Sequence, residues 1–383
     1  MANVLTDLAA DIYKAADIVG RELVGVIPSV MINSNGSDRV AQGDTVRSHA
    51  TVASTVNTSY TPSMTIPQGD DQTVGNKTMT IDKVGNVQIP WTGEDIKHVN
   101  NGSGYETIFG DQIAQAMRGI TNAIEGELWG EVKANASRAV GTAGTTPFAS
   151  NFDVVAEARQ ILVDNGTPMD GQVTMVLNTA AGTKMRNLAT LQKANEAGGT
   201  NLLRQGELLD LQGVKLKESA GVGLHTKGTG TGYLQSDGGT LAIGTTSIPL
   251  DTGSGTVLAG DVVTFTGDTN KYIVATGVAA PGTIVLASPG LQKTLANNVA
   301  MTIGATYTGN VVFHRNAVEL VARVPSQPHG GDAAVDRMTI QDPHSGLVYE
   351  IAAYKGYGKV MFDVTMLYGV KTWKQEFTAA LLG

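Results

Sequence analysis

One stretch limits the possible architectures more than any other. Between Tyr105 and Ala136 the apolar residues Ile113, Met117, Ile120, Ile124, Leu128 and Val132 recur every three or four positions, the spacing of one face of an α-helix. At about 1.5 Å per residue, a helix of roughly 30 residues is ~45 Å long. That exceeds an ordinary globular helix. The pattern predicts a spine along which the other elements are laid.

The residues ahead of the spine are of two kinds. Leu8, Ile12, Ala15, Val19 and Leu23 predict an amphipathic helix over 5–24, with Asp7, Asp11 and Lys14 off its apolar face. Gly25 to Pro28 break it. Residues 30–75 are polar and punctuated by Asn-Gly, Gly-Asp and Thr-Pro; so long an arm is uncommon in a compact domain and makes sense if neighbouring copies order it. A hairpin is expected next, with Met79 and Ile81 on one arm, Val87, Ile89 and Trp91 on the other, and Gly85-Asn86 at the turn.

Beyond the spine, a Gly/Thr break at 141–147 precedes a predicted helix over 151–164, with Asn151 as N-cap and Asn165-Gly166 as its stop. Val173 to Leu177 reads as a short buried strand running into a helix capped by Asn178, 192–207 as loop, and Gly213 to Lys217 as another strand. Composition changes near Ser219. Residues 220–309 are dense in Gly and Thr, with short β-runs at Thr240–Ile243, Asp261–Thr266, Tyr272–Thr276 and Thr283–Leu286. Short strands separated by Gly turns argue for a small β-barrel or sandwich. The chain closes on two strand-like stretches, Asn310–Val324 and Phe362–Glu376, apolar at alternate positions with a few polar residues among them.

Composition narrows the function. Of 383 residues, 42% are apolar and only 16% charged, below the usual quarter, so much of the surface is suited to being covered. The net charge is −8, and the densest basic cluster is Lys371 to Lys374, too little for a protein that grips nucleic acid by counterion release. There is no Cys, hence no disulfide framework or thiolate metal site. No apolar run reaches the ~18 residues of a membrane span, and the first residues lack the basic start and apolar core of a secretion signal.

No constellation of catalytic residues converges. His49, His98, His225, His314, His329 and His344 are not spaced as metal ligands. Ser103 and Ser254 sit in Gly-rich turns that lack the nucleophile-elbow pattern. Gly228 to Gly232 has neither the lysine nor the helix of a phosphate loop. Asp237, Asp251, Asp261 and Asp268 lack calcium-loop spacing and read as turn caps. No cofactor is expected, and the chain reads as a non-enzyme.

The order of parts carries a resemblance. Phe313-His314-Arg315-Asn316-Ala317 with Leu320, Asp363 through Leu367-Tyr368-Gly369-Val370-Lys371 with Glu376, Leu177-Asn178, Leu211-Gln212-Gly213-Val214-Lys215-Leu216 and Ala259-Gly260-Asp261-Val262-Val263-Thr264-Phe265 resemble the tailed-phage major capsid (coat) proteins of the HK-97 type, closest to P-22-type coat proteins with an insertion domain. The resemblance spans nearly the whole chain. It implies an α+β capsid fold: an N-terminal helix and arm (1–45), an E-loop or extended hairpin region (46–100), a P-domain spine helix with the first part of the A-domain (101–219), an inserted β-rich domain (220–309), and closing strands of the A- and P-domains (310–383).

The resemblance also implies a role and partners. Copies would self-assemble as pentameric and hexameric capsomers into an icosahedral shell in the bacterial cytoplasm, joined by a portal protein, enclosing double-stranded DNA without sequence-specific binding and without a membrane. Lys77, Met79, Ile81, Lys83, Ile89 and Trp91 are the candidate inter-subunit contacts. In some shells of this class a hairpin lysine forms an isopeptide bond with a neighbour's Asn, which needs a buried, deprotonated amine; the plainer expectation for Lys77 and Lys83 is solvation or an ion pair. Arm and hairpin leave no room for a cleavable internal scaffold, so a separate scaffolding protein is expected. Asp7 and Asp11, one turn apart, are its candidate contacts, with a solvated acidic face as the simpler reading. The competing functions are a non-viral, encapsulin-like cage and a secreted β-rich adhesin or surface-layer protein.

Overall fold

The computed structural model describes residues 24–51, 61–66, 74–99, 105–188, 208, 210–236, 238–343 and 345–383. The helix expected at 5–24, with Asp7 and Asp11, and the loop expected at 192–207 lie outside them, apart from Val24, which is irregular.

The long helix runs from Tyr105 to Ala134. Its predicted stripe is buried throughout: Ile113, Met117, Ile124, Leu128 and Val132 are fully covered and Ile120 nearly so. Against this stripe lies a six-stranded sheet whose hub is the 14-residue strand Lys359–Thr372. On one edge the hub pairs first with Val348–Lys355 and then with Val318–Pro325; on the other it pairs along Lys83–Thr92. Met31–Val40 adds a parallel strand to Val318–Pro325, and Ala334–Gln341 an antiparallel one to Val348–Lys355.

Two expectations fail here, for physical reasons. The segment after Val30 is not a featureless arm: Met31–Val40 and Thr45–Thr51 are both strands. The first is held by polar side chains that a hydrophobic pattern does not reveal. Arg323 Nη1 donates to Asn33 O at 2.6 Å, its Nη2 donates to Asn33 Oδ1 at 2.9 Å, and its Nε reaches Asp38 at 3.4 Å. The second failure is the hairpin. Val74–Thr80 and Lys83–Thr92 do not pair with each other: the first pairs with Thr45–Thr51 and the second with the hub. Gly85-Asn86 is therefore mid-strand. Gly85 is there because a Cβ would stand 2.7 Å from Ile120 Cγ2 of the long helix; its lack of a side chain serves close packing, not a turn.

A second, mixed sheet is ordered Ala139–Gly141, Thr378–Leu382, Tyr307–His314, Val173–Asn178, Lys215–Ser219, with Leu224–His225 pairing onto Tyr307–Thr308. Its parallel pairs lie at the two edges. Val173–Leu177 is buried on both faces, as expected of its unbroken apolar run. Helices Asp153–Asp164 and Thr179–Arg186 contribute to the core against this sheet. Asn178 caps the second, its Oδ1 accepting from Ala180 N at 2.9 Å. Asn151 does not cap the first: Phe152 holds that position, and the Asn151 amide donates to Asp153 instead.

Strands from Leu234 to Ile303 make a third sheet. Its two ends join through Gln235 N to Val299 O, Asn298 N to Gln235 O and Met301 N to Tyr233 O, all 2.9–3.0 Å, so the sheet closes on itself as a small barrel. Ile248, Val263, Tyr272, Val274, Ile284 and Leu286 fill it. Ser247–Asp251 is a barrel strand that the Gly/Thr pattern does not reveal, whereas Thr240–Ile243 holds only an isolated bridge at Leu241.

Candidate functional site

No metal-binding group of His, Asp and Glu occurs among the described residues. What the residues build instead is a long helix with two unlike faces, a projecting ribbon, and polar anchors that hold segments to the helix.

The first anchor is Glu125, 1% exposed on the inner side of the helix. Its Oε1 accepts from Gly25 N and Val26 N at 2.8 Å each and from Ser219 Oγ at 2.5 Å, and its Oε2 accepts from Ile27 N at 2.9 Å. The donors include amides at the start of the short 3-10 turn Ile27–Ser29, which helical geometry leaves without partners. A carboxylate meeting only donors is stable as an anion when buried. Glu125 thereby sets where the segment leading from the N-terminus meets the core. Its signal in the sequence is a carboxylate beside Ile124 that interrupts the apolar stripe.

The second anchor is at the helix's C-terminal end. Lys133 Nζ lies 3.0 Å from His225 Nδ1, and His225 Nε2 lies 2.8 Å from Asp261 Oδ1. Asp261 is fully buried and also accepts from Gly228 N and Leu258 N. Burial pushes the Lys133 ammonium below the ordinary lysine range, opposed by the charge of Asp261. His225 lies between residues far apart in the sequence, which is why spacing alone does not single it out. A third cluster ties Arg337 to Asp332 and Glu350, with Arg39 Nη2 at 2.5 Å from Glu350. The Arg337 hydrogen bond holds the Asp332 carboxyl down at about 2.

The outer face of the helix carries small residues. Gly119, Ala123, Gly126 and Gly130 recur at steps of three, four or seven, opposite the buried stripe. A Cβ added at any of the three glycines would meet nothing within 4 Å. Gly126 and Gly130 border an open groove lined also by Asp82, Lys83, Asn122 and Glu127.

The ribbon of Thr45–Thr51 paired with Val74–Thr80 is a sheet of only two strands. Among the described side chains, its core is at the base, where Met79 and Ile81 pack on Val321 and Leu367, with Val46 alongside. Gly369 permits that crossing, since a Cβ there would stand 2.7 Å from Thr80 O. In the segment between the strands, Met64 and Ile66 are almost wholly exposed.

The six residues expected to touch neighbouring copies lie in different surroundings. Met79, Ile81 and Trp91 are 1%, 0% and 8% exposed within their own chain, and Trp91 Nε1 donates to Gln112 Oε1 at 2.9 Å. These three side chains are packed within their own chain. Ile89 is half-buried and lines a shallow groove with Val87, Pro90 and Ile108. Lys83 forms an ion pair with Glu127 at 2.5 Å, which raises its pKa; this is the opposite of what an isopeptide-forming amine requires. Lys77 sits in the ribbon opposite Ser48, and its side chain is outside the described residues.

Comparison with known proteins gives a fold but no close relative. No protein-family profile matches the sequence, and no curated protein does. Solved structures match over nearly the whole chain. The structure of Mycobacterium phage Che8 matches with a TM-score of 0.51 at 14% identity, covering 95% of this chain and 92% of that one. The capsid of cyanophage P-SCSP1u gives 0.51 at 12%, covering 95% and 89%. The asymmetric unit of the mature capsid of bacteriophage PhiM1 gives 0.50 at 11%, covering 95% and 88%. At these identities the likeness is one of architecture: the chain is built on the fold of phage capsid proteins.

Proposed function

We propose that this chain is a major capsid protein, whose copies assemble into an icosahedral shell around the double-stranded DNA of a tailed phage. The observation that carries this reading is the fold match over 95% of the chain to phage capsid structures. Three features of the subunit support it. The described side chains of the ribbon have a core only at its base, Met64 and Ile66 between its strands are exposed, and isolated two-stranded ribbons are marginal in water. Three glycines on an exposed helix face cost about 0.8–1.0 kcal/mol each against alanine, with no packing reason inside the chain; close approach by another copy supplies one. Charge is sparse and net negative, which suits a wall that does not trap DNA.

In this reading the ribbon is the E-loop and lies over a neighbour's P-domain, which contains the long helix and its sheet. The barrel at Leu234–Ile303 is an insertion domain that steadies contacts between copies. A separate scaffolding protein directs assembly in the host cytoplasm, and a portal protein occupies one vertex. Each contact is weak, and the lattice is held because every copy makes several at once.

The test is expression of the chain with and without its genomic neighbours, followed by electron microscopy of the product. Closed shells or curved sheets of ring-shaped capsomers are expected. A dispersed monomer in the presence of its neighbours would sink the proposal. Nucleic acid absent from shells that do form would favour a cage over a phage head.

A further inference from the structure

We propose that Lys133, His225 and Asp261 form a proton-operated latch that holds the barrel to the C-terminal end of the long helix, and that a second proton on His225 opens it. The inference is independent of whether the chain builds shells.

The three residues come from three parts of the fold. Lys133 is in the last turn of the long helix. His225 is in the two-residue strand that pairs onto Tyr307–Thr308 of the mixed sheet. Asp261 is in the turn leading into the barrel strand Val262–Phe265. The Lys133 stem passes close to both neighbours: its Cε lies 3.1 Å from where a Cβ on Gly260 would stand, and its Cδ 3.2 Å from the same point at Gly309. Its ammonium stacks over the Trp129 ring at 4.5 Å.

Hydrogen-bond logic fixes the protons. Asp261 receives Gly228 N–H at 3.1 Å, Leu258 N–H at 2.8 Å and His225 Nε2 at 2.8 Å. Both backbone partners are donors, and an ammonium facing Nδ1 needs an acceptor there, so the one proton of a neutral ring is on Nε2 and is donated to Asp261. An ammonium has donors only, so His225 Nδ1, 3.0 Å from Lys133 Nζ, must be the acceptor. The arrangement is therefore cation, neutral ring, anion, with each of these bonds satisfied.

Tyr307 is the remaining titratable group against the ring, with centroids 5.2 Å apart. Its hydroxyl is committed to Gly260 O at 2.7 Å, and burial pushes its pKa well up, so it neither takes nor supplies the proton. A second proton on His225 can enter only at Nδ1. There it sets an N–H against an ammonium at hydrogen-bond distance, inside a site where His225 is 5% exposed. With both groups protonated Lys133 must leave, and its departure removes the strut between helix and barrel.

The test is hydrogen exchange on the full chain at about pH 7.5 and about pH 5, each corrected for the intrinsic exchange rate. The expected result is exchange at least about tenfold faster at the lower pH for the Gly228 and Leu258 amides, with the barrel strands Val262–Phe265 and Tyr272–Thr276 unchanged. His225→Gln keeps an amide that can donate to Asp261 but does not titrate; Lys133→Met keeps the stem but removes the charge. Both should abolish the pH response. Equal protection of the wild-type amides at the two pH values overturns the proposal, as does a full response retained in either variant.

Discussion

The two faces of the long helix solve opposite problems. The inner face is a row of large side chains closed by the central sheet, with Glu125 as a buried carboxylate that is fully bonded. The outer face is Gly119, Ala123, Gly126 and Gly130, and a Cβ at any of the three glycines would touch nothing in its own chain. A helix optimised only for its own stability would carry alanine or longer residues there. The inner face is fixed by what this chain needs to fold. The three outer glycines have no such reason inside the chain, and the assembly proposed above would supply one.

That contrast can be broken at several strengths. Glu125→Ala should be the most damaging change. It strands three backbone donors and the Ser219 hydroxyl in the core, at about 1–3 kcal/mol for each group left unpaired, so urea denaturation should show a loss of several kcal/mol or an insoluble chain. Leu128→Ala, on the same face and fully buried, should cost about 2–5 kcal/mol in the same assay. A loss near zero in either would mean that the inner face is not the core described.

Gly126→Ala and Gly130→Ala should act in the other direction. Each should stabilise the isolated subunit by roughly 0.5–1 kcal/mol while lowering the yield of assembled particles. Calorimetry and particle yield on the same preparations separate the two effects. If assembly is untouched, the outer face is not a contact surface.

The smallest effect concerns Asp332. Its folded pKa of about 2 lies below the usual ~3.9, so its contribution is present above pH ~4 and is lost as pH falls toward 2. Carboxyl titration followed by NMR should show this depressed midpoint, and Arg337→Gln should return it to the ordinary range. The site is solvent-facing, so the global midpoint should barely move.

Much of the skeleton is legible in residue order. The spine stripe, the Asn178 cap and the buried run Val173–Leu177 are local patterns, and each is where periodicity and cap chemistry place it. The hairpin misreading shows the limit. Alternation correctly marks Lys83–Thr92 as a strand, but the partner of that strand is Lys359–Thr372, more than 250 residues away, and alternation carries no information about partners. Gly85-Asn86 is a turn signal by composition and a packing accommodation in fact, because Ile120 approaches it across the fold. Trp91 and Met79, expected at contacts between copies, are buried within their own chain, which alternation does not reveal either.

What residue order determined by itself was the kind of element at most positions. Helical and β periodicities arise from backbone geometry, and caps arise from neighbouring amides, so both are local. Tertiary structure alone decided which strands pair, that the Gly/Thr-rich region closes into a barrel, and that Glu125, Lys133, His225 and Asp261 meet partners distant in the chain. Burial and hydrogen bonding between remote segments are properties of the packed chain, because water satisfies the same groups equally well until packing removes it.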